Sequence, residues 1–211
     1  MKAISGLLPH FSSFCLLRES TKNDFTAFTM TITLIGPGGA GKSTVGAVLA
    51  QRLGVSFVDL DRQFTEHHGD ISAYIQRFGY DTYARENVET YCSLPHGPCV
   101  VALSSGFMTY AERVHPEYVR VRRCVEASAT TVVLVPSLDG EQCVHETVRR
   151  QLTRSFARSA AEEEAVIRER FPLYVGVAAP KVETMQPLDL IVQDVLSARR
   201  SRAKLRLRGS R

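Results

Sequence analysis

The chain carries one highly diagnostic run, Gly36-Pro-Gly-Gly-Ala-Gly-Lys42-Ser43-Thr44. It matches the pattern of a phosphate-binding loop, in which glycine, four residues and a second glycine precede lysine and a hydroxyl residue. Residues 31–35 before it predict a short buried strand, and residues 43–53 after it have apolar side chains at helical spacing. A strand, a glycine turn and a helix start in this order favour nucleotide binding over a chance turn.

The chemistry of this loop follows from its residue types. Glycines allow the backbone to curl so that its N–H groups converge on an anion, and the start of the helix adds further unpaired N–H groups. Lys42 is expected to act on the outer phosphates, and Ser43 to place its hydroxyl on Mg²⁺. The predicted ATP-binding residues here are Gly38, Gly39, Ala40, Gly41, Lys42, Ser43 and Thr44.

The order of apolar segments along the chain predicts the fold class. Five short apolar segments alternate with helical patterns, which is typical of an α/β protein with a parallel sheet and helices on both faces. The predicted strands are 31–35, 55–58, 98–103, 130–135 and 181–184. The predicted helices are 43–53, 61–68, 71–78, 81–93, 109–123 with a boundary at Pro116, 139–152, 161–170 and 187–199.

Composition narrows the class of protein. A length of 211 residues suits one domain, and no apolar run reaches the roughly 18 residues of a membrane-spanning helix. The five cysteines form no CxxC pair and are interpreted as reduced thiols of a cytoplasmic protein. The six histidines have no spacing typical of a metal site. We expect a monomer without membrane contacts.

Charge and pattern divide the chain into three parts. Residues 1–29 lack a periodic pattern of apolar residues and are interpreted as an N-terminal extension. This extension is either disordered or precedes the true start of the protein at Met30. A targeting peptide is the alternative. Residues 30–198 form the predicted domain. The tail 199–211 has seven basic residues and no acidic one, which leaves 19 basic against 22 acidic residues in the rest. A solubilising tail is favoured over a nucleic-acid-binding one.

Asp59 and Asp61 follow the second predicted strand. Residues two apart on an extended segment point the same way, and ligands of parallel sheets bind beyond the carboxyl ends of the strands. One carboxylate could therefore hold hydrated Mg²⁺ while the other orients a hydroxyl nucleophile. The alternative is that Asp61 caps a helix and Asp59 is solvated.

Three motifs together resemble the shikimate kinase family. They are the loop at 36–44, the sequence Phe57-x-Asp59-x-Asp61, and Arg170-Phe-Pro-Leu-Tyr174. The similarity runs from about Met30 to the final helix. It implies a three-layer P-loop NTPase fold with a five-stranded parallel sheet and a mobile lid. It also implies transfer of the γ-phosphoryl group of ATP to the 3-hydroxyl of shikimate, in aromatic amino-acid biosynthesis.

The resemblance assigns roles position by position. Lys42 and Ser43 match the phosphate and Mg²⁺ residues, Asp59 matches the acid that holds Mg²⁺ through water, and Asp61 matches the acid that binds the shikimate hydroxyls. For the substrate carboxylate it implies two arginines, Arg85 and Arg170. The remaining matches are Arg154 as the catalytic lid arginine, Pro187 in the adenine-binding loop, and Ser105 and Gly106 in the substrate loop.

The chain departs from the family on the acceptor side. Ser104-Ser105-Gly106 stands where three glycines are usual, and Arg154-Ser155-Phe156 stands for Arg-Pro-Leu. Ala84 precedes Arg85, and the spacing from Gly79 to Arg85 is one residue long. Two alternatives therefore stay open, a related kinase of another hydroxy acid such as gluconate, and a nucleotide-binding regulator with a decayed acceptor site.

Overall fold

A computed structural model describes residues 31–94, 97–153 and 159–209, which form a three-layer α/β fold. Its sheet has five parallel strands in the order β2-β3-β1-β4-β5. The strands are β1 (Ile32–Ile35), β2 (Ser56–Asp59), β3 (Cys99–Ala102), β4 (Thr131–Val135) and β5 (Lys181–Glu183). The predicted parallel five-stranded sheet is confirmed.

Helices connect the strands, because a parallel pair needs a crossover of a dozen or more residues. They are α1 (Lys42–Leu53), α2 (Leu60–His68), α3 (Ile71–Phe78), α4 (Tyr80–Cys92), α5 (Tyr118–Ala127), α6 (Gly140–Gln151), α7 (Ala160–Gly176) and α8 (Leu188–Gly209). In the described ranges, none of these helices combines the length and apolarity needed to cross a bilayer.

Each face of the sheet has its own apolar core, because successive strand residues point to opposite faces. On one face, Leu34 of β1 and Leu134 of β4 pack with α1 and α8. On the other, Ile35 and Val135 pack with α2, α4, α5 and α7. All four side chains are fully buried. The sheet is therefore covered by helices on both faces.

Three predicted helices have different bounds in the structure. Residues 109–123 were predicted to be helical with a boundary at Pro116. The part before Pro116 instead contains a 3₁₀ turn at Glu112–Val114, which follows another at Phe107–Thr109, whereas α5 begins at Tyr118, just after the predicted boundary. Helix α7 continues past Pro172 to Gly176, and α8 continues to Gly209. The predicted lid 153–163 overlaps the start of α7, and residues 154–158 lie outside the described residues.

Candidate active site

Four segments lie at the carboxyl ends of the strands. These are the loop 36–41 after β1, Asp59 at the end of β2, the loop 104–106 after β3, and the segment 184–187 after β5. After β1 the chain continues to β2, at one edge of the sheet. After β3 it continues in the opposite direction, to β4 on the far side of β1. Ligands of open α/β sheets bind at this kind of switch point.

The loop after β1 is tightly curled. Gly36, Gly39 and Gly41 have φ angles of 149°, 69° and 86°, which side-chain-bearing residues rarely adopt. A Cβ atom on Gly36 would lie 2.0 Å from the carbonyl oxygen of Leu134. Helix α1 starts at Lys42 without a side-chain cap. Its first N–H groups therefore remain available for an anion.

The side chain of Lys42 is hydrogen-bonded to the first two residues of this loop. Its Nζ donates to the carbonyl oxygens of Gly36 at 2.7 Å and Pro37 at 2.9 Å, and the residue is only 9% exposed. Ser43 and Thr44, in the first turn of α1, are exposed. The loop thus presents an ammonium group within it and hydroxyl groups at its outer side.

Asp59 is the N-cap of α2. Its Oδ1 accepts from the backbone N–H of Asp61 at 3.0 Å and of Arg62 at 3.3 Å. The sequence alternative that made Asp61 the cap is therefore wrong, because the cap is Asp59. This cap uses one carboxylate oxygen of Asp59 and fixes the backbone direction at the end of β2.

Asp61 lies in the first turn of α2 and contacts α4. Its Oδ1 accepts from the hydroxyl of Tyr83 at 3.2 Å. Burial, reinforced by the Asp61 charge, holds the pKa of Tyr83 well above its usual range. Tyr83 therefore stays a neutral hydrogen-bond donor at physiological pH, and it fixes one oxygen of Asp61.

The loop after β3 is hydrogen-bonded to side chains of α4 and α7. Ser104 is 1% exposed, and its Oγ donates to Oδ1 of the fully buried Asn87 at 2.9 Å. The carbonyl oxygen of Ser105 accepts from the hydroxyl of Tyr174 at 2.9 Å. These bonds give the loop a defined shape despite the serines in place of glycines.

Arg170 of α7 reaches the same loop. Its Nη1 lies 3.4 Å from Oγ of Ser105, and its Nη2 donates to the hydroxyl of Tyr80 at 3.1 Å. Gly106 lies directly beside them, since a Cβ there would be 3.4 Å from Nη2 of Arg170. The structure thus brings together three of the predicted acceptor residues, Ser105, Gly106 and Arg170.

Arg85 stands apart from this group. Its side chain is 56% exposed, and its described contact is with the neighbouring Glu86 at 3.4 Å. Ala84, one position earlier on α4, is fully buried on the side that faces the core. The structure therefore does not bring Arg85 to the loop 104–106, and its predicted role stays a prediction.

Comparison with known proteins decides the family. The family model for shikimate kinase matches residues 38–199 of this chain. The chain belongs to the shikimate kinase family. A shikimate kinase of Nitratidesulfovibrio vulgaris is 32% identical over 171 residues, which cover 78% of this chain and 92% of that protein. One from Marinomonas is 30% identical over 159 residues, covering 72% and 82%.

A solved shikimate kinase supports the same fold. The structure from Aquifex aeolicus matches with a TM-score of 0.61 and 24% identity, over 82% of this chain and 98% of that one. At this identity the match concerns the fold alone. Membership of the shikimate kinase family makes this chain a kinase, which transfers a phosphoryl group from a nucleotide.

The nucleotide side of this kinase contains an arginine that the sequence analysis did not single out. Arg150 of α6 donates to the carbonyl oxygen of Gly39 at 3.0 Å and to both oxygens of Thr184 at 3.1 Å. It thereby ties the phosphate loop to the segment that leads to Pro187, which is exposed just before α8. Glu146 holds Arg150 through Nε at 2.6 Å.

One predicted catalytic residue lies outside the part of the chain that the structure describes. Arg154, with the rest of the predicted lid motif, lies outside the described residues. Its role as the lid arginine stays a prediction. In the chain it follows α6, which ends at Gln151.

The acceptor side also contains residues that sequence reasoning missed. Tyr80, Tyr83 and Asn87 all lie on α4 and all contact the predicted site. Their spacing of i, i+3 and i+7 places them on one face of the helix, which was the available signal. No role was predicted for these three residues from the sequence.

Proposed function

We propose that this kinase transfers the γ-phosphoryl group of ATP to the 3-hydroxyl of shikimate. One arrangement carries the proposal: a phosphate loop and a second polar pocket share the carboxyl edge of one parallel sheet. A guanidinium, Arg170, lies beside the loop 104–106, and a carboxylate, Asp61, is connected to it through Tyr83 and Tyr80, whose ring centroids lie 5.8 Å apart. A hydroxy acid needs these two groups, one for its hydroxyl and one for its carboxylate.

On the nucleotide side, the loop N–H groups and Lys42 hold the β- and γ-phosphates. Nζ of Lys42 donates hydrogen bonds to the carbonyl oxygens of Gly36 and Pro37. Because the ammonium is already positioned across the loop, it can stabilise the charge of the transferring group with little reorganisation. Arg150 keeps the loop aligned with the segment before Pro187, where we place the adenine.

The residues present fit Mg²⁺. Mg²⁺ prefers oxygen ligands, keeps several waters, and uses one or two protein oxygens with substrate phosphates. The Ser43 hydroxyl is exposed beside the loop, and the α2 cap uses only Oδ1 of Asp59. Ser43 would bind the ion directly and Asp59 through water. When bound, the ion would neutralise charge on the β- and γ-phosphates.

On the acceptor side, Asp61 aligns the shikimate hydroxyl and accepts its proton. Tyr83 holds Oδ1 of Asp61, so the second oxygen can face the substrate. Arg170 binds the carboxylate, and the backbone of Ser105 and Gly106 lines the pocket beside it. The predicted contribution of Arg154 is to close over the transferring phosphoryl group and help exclude water.

The experiment is ADP release from Mg·ATP by the purified protein with shikimate, quinate or gluconate. We expect release that depends on shikimate.

Lys42→Ala should lower kcat by roughly a hundredfold or more, because it removes a preorganised charge. Arg170→Ala should mainly raise the KM for shikimate, by roughly tenfold or more, since a hydrogen bond to a charged group is lost.

Two results would contradict the proposal in different ways. Release that depends on gluconate but not shikimate would keep the kinase and change the acceptor class. Nucleotide binding without acceptor-dependent release would favour the regulator. If Arg170→Ala left both KM and kcat for shikimate unchanged, the carboxylate assignment would be wrong even with an active enzyme.

A further inference from the structure

The backbone and the carboxylate of Asp61 are held by different parts of the molecule. Its N–H donates to Oδ1 of Asp59 at 3.0 Å, and its carbonyl oxygen accepts from the hydroxyl of Thr65 at 2.8 Å, so α2 holds the backbone. The carboxylate can still turn on that backbone, because the terminal torsion of aspartate is broad and not confined to narrow wells. A further contact is needed to hold its two oxygens in one orientation.

Tyr83 of α4 supplies that contact. Its hydroxyl donates to Oδ1 of Asp61 at 3.2 Å. The residue is only 5% exposed, and burial holds the pKa of the phenol well above its usual range, so the hydroxyl keeps its proton at physiological pH. A hydrogen bond to an ionised acceptor is stronger than one between neutral groups. The bond from Tyr83 therefore favours one orientation of the carboxylate.

The ring of Tyr83 is held by aromatic neighbours. Its centroid lies 4.9 Å from that of Phe64 and 5.8 Å from that of Tyr80, with interplanar angles of 68° and 43°. Phe64 lies on α2, one helical turn after Asp61. These ring contacts would persist in phenylalanine, whereas the bond to Asp61 would not. One substitution can therefore separate the packing of this side chain from its hydrogen bond.

One turn of α4 connects Asp61 with the substrate loop 104–106. Asn87 lies four residues after Tyr83, which places both side chains on the same face of the helix. Oδ1 of Asn87 accepts from Oγ of Ser104 at 2.9 Å, and both residues are buried. The helix turn 83–87 therefore fixes the carboxylate of Asp61 relative to the loop that lies beside Arg170.

We infer that Tyr83 is a positioning residue for phosphoryl transfer, which orients Asp61 towards the acceptor hydroxyl at a distance from the substrate loop that α4 sets. The inference rests on the proposed function, because it concerns Asp61 as the group that aligns this hydroxyl. In the transfer, the hydroxyl oxygen forms a bond to the γ-phosphorus, and its proton passes to Asp61. The bond from the γ-phosphorus to the β–γ bridging oxygen breaks, and ADP leaves with that electron pair.

Tyr83 acts through Asp61 and needs no contact with either substrate, so its hydroxyl should matter for the rate of transfer more than for nucleotide binding. The test measures kcat and the KM values for shikimate and ATP in the full chain, for the wild type and Tyr83→Phe. We expect kcat to fall by about tenfold or more, because small errors in the orientation of reacting groups are costly. The KM for ATP should stay within about twofold.

A double-mutant cycle distinguishes positioning from a general effect on the pocket. In Asp61→Asn, the side chain that Tyr83 holds can no longer accept the proton. Adding Tyr83→Phe to that variant should therefore change kcat by less than about twofold. A similar fall in kcat in both backgrounds would mean that the hydroxyl acts without Asp61, and the inference would be overturned. An unchanged kcat for Tyr83→Phe alone would overturn it as well.

Tyr74→Phe is the matched control. Tyr74 is half-buried on α3 and packs edge-on against the same ring, with its centroid 5.0 Å from that of Phe64 and an interplanar angle of 89°. This variant should leave kcat and both KM values within about twofold of the wild type. A fall in kcat as large as that of Tyr83→Phe would assign the effect to packing around Phe64 and would also contradict the inference.

Failure of the proposed function gives a separate signal in the wild type. A wild type that phosphorylates gluconate instead of shikimate contradicts the proposed acceptor. The same variants are then compared with gluconate, and the same fall in kcat is expected. A wild type that turns over no acceptor overturns the proposed function and the inference together. An active wild type whose kcat equals that of Tyr83→Phe overturns the inference alone.

Discussion

Ser104 and Asn87 illustrate how single residues adapt this pocket. Serine adds a hydroxyl where the family usually has glycine, and a buried hydroxyl needs a partner. Asn87 supplies it from α4, at 2.9 Å from Oγ. The serine is therefore accommodated by a hydrogen bond beneath the loop, and it need not obstruct the acceptor pocket above.

We expect Ser104→Ala to destabilise the protein by about 1–3 kcal/mol, because it removes the bond to a buried amide oxygen. The measurement is the free energy of unfolding from urea denaturation. Ser105→Ala is the control, since Ser105 is only half-buried and its Oγ contact with Arg170 is long, at 3.4 Å. Equal stability of the wild type and Ser104→Ala would show that this bond contributes little.

Glu146 supports Arg150 behind the phosphate loop. It accepts hydrogen bonds from Arg149 and Arg150, which lower its pKa from 4.5 to about 2. Since the folded pKa lies below the ordinary value, the unfolded chain takes up the proton first as pH falls. The stabilisation is therefore complete above about pH 4.5 and is lost between pH 4.5 and 2.

Glu146→Gln should accordingly lower the free energy of unfolding at pH 7 by about 1–3 kcal/mol. The difference from wild type should shrink when the denaturation midpoints are measured at pH 4 and then pH 3. Glu164→Gln is a suitable control, because Glu164 pairs with Arg168 on the surface and such pairs contribute roughly 0–1 kcal/mol. A difference for Glu146→Gln that grew in acid would contradict this account.

At the scale of elements, close contact between α1 and β2 positions the phosphate loop relative to Asp59. Gly46 of α1 faces the ring of Phe57 in β2, and a Cβ there would lie 2.3 Å from Cε2 of that ring. Phe57 is two residues before Asp59. The small residue on the helix therefore allows the strand that ends in Asp59 to lie close beneath it.

Gly46→Ala should destabilise the protein, because overpacking costs about 1–3 kcal/mol whereas alanine in a helix gains at most about 1 kcal/mol over glycine. Thermal unfolding should detect a lower Tm. Gly176→Ala is the matched control in α7, since nothing beyond its chain neighbours and the backbone of its own helix lies within 4 Å of its added Cβ. That variant should be neutral or slightly more stable. A Tm for Gly46→Ala at or above that of the wild type would refute the packing argument.

The bounds of the elements show where local pattern was insufficient. The strands and α1 were predicted correctly within one or two residues, because their apolar periodicity is strong. The part of 109–123 before the predicted boundary at Pro116 was not, since its buried side chains occupy 3₁₀ turns that pack against α4 rather than a helix face. Pro172 lies inside α7, where propensity alone predicts a helix end.

At the scale of the molecule, the buried side chains of both cores lie between Ile32 and Val195 among the residues that the structure describes. The sequence predicts that the domain begins at Met30, so deleting residues 1–29 should leave kcat and both KM values within about twofold of the full chain, measured by ADP release. Deleting residues 1–35 should prevent folding, because it removes β1 from the centre of the sheet. A loss of activity in the shorter deletion would show that the N-terminal segment takes part in function.

The sequence by itself determined the phosphate loop, the alternation of strands and helices, and the acids after β2. These features depend on residues close together in the chain, where backbone sterics and periodicity act. Only the tertiary structure decided that Arg170 meets Tyr80, 90 positions earlier, and that Arg85 faces solvent. The rotation of α4 about its own axis sets this outcome. It depends on packing against the whole core, and a one-residue shift along a helix turns a side chain by about 100°.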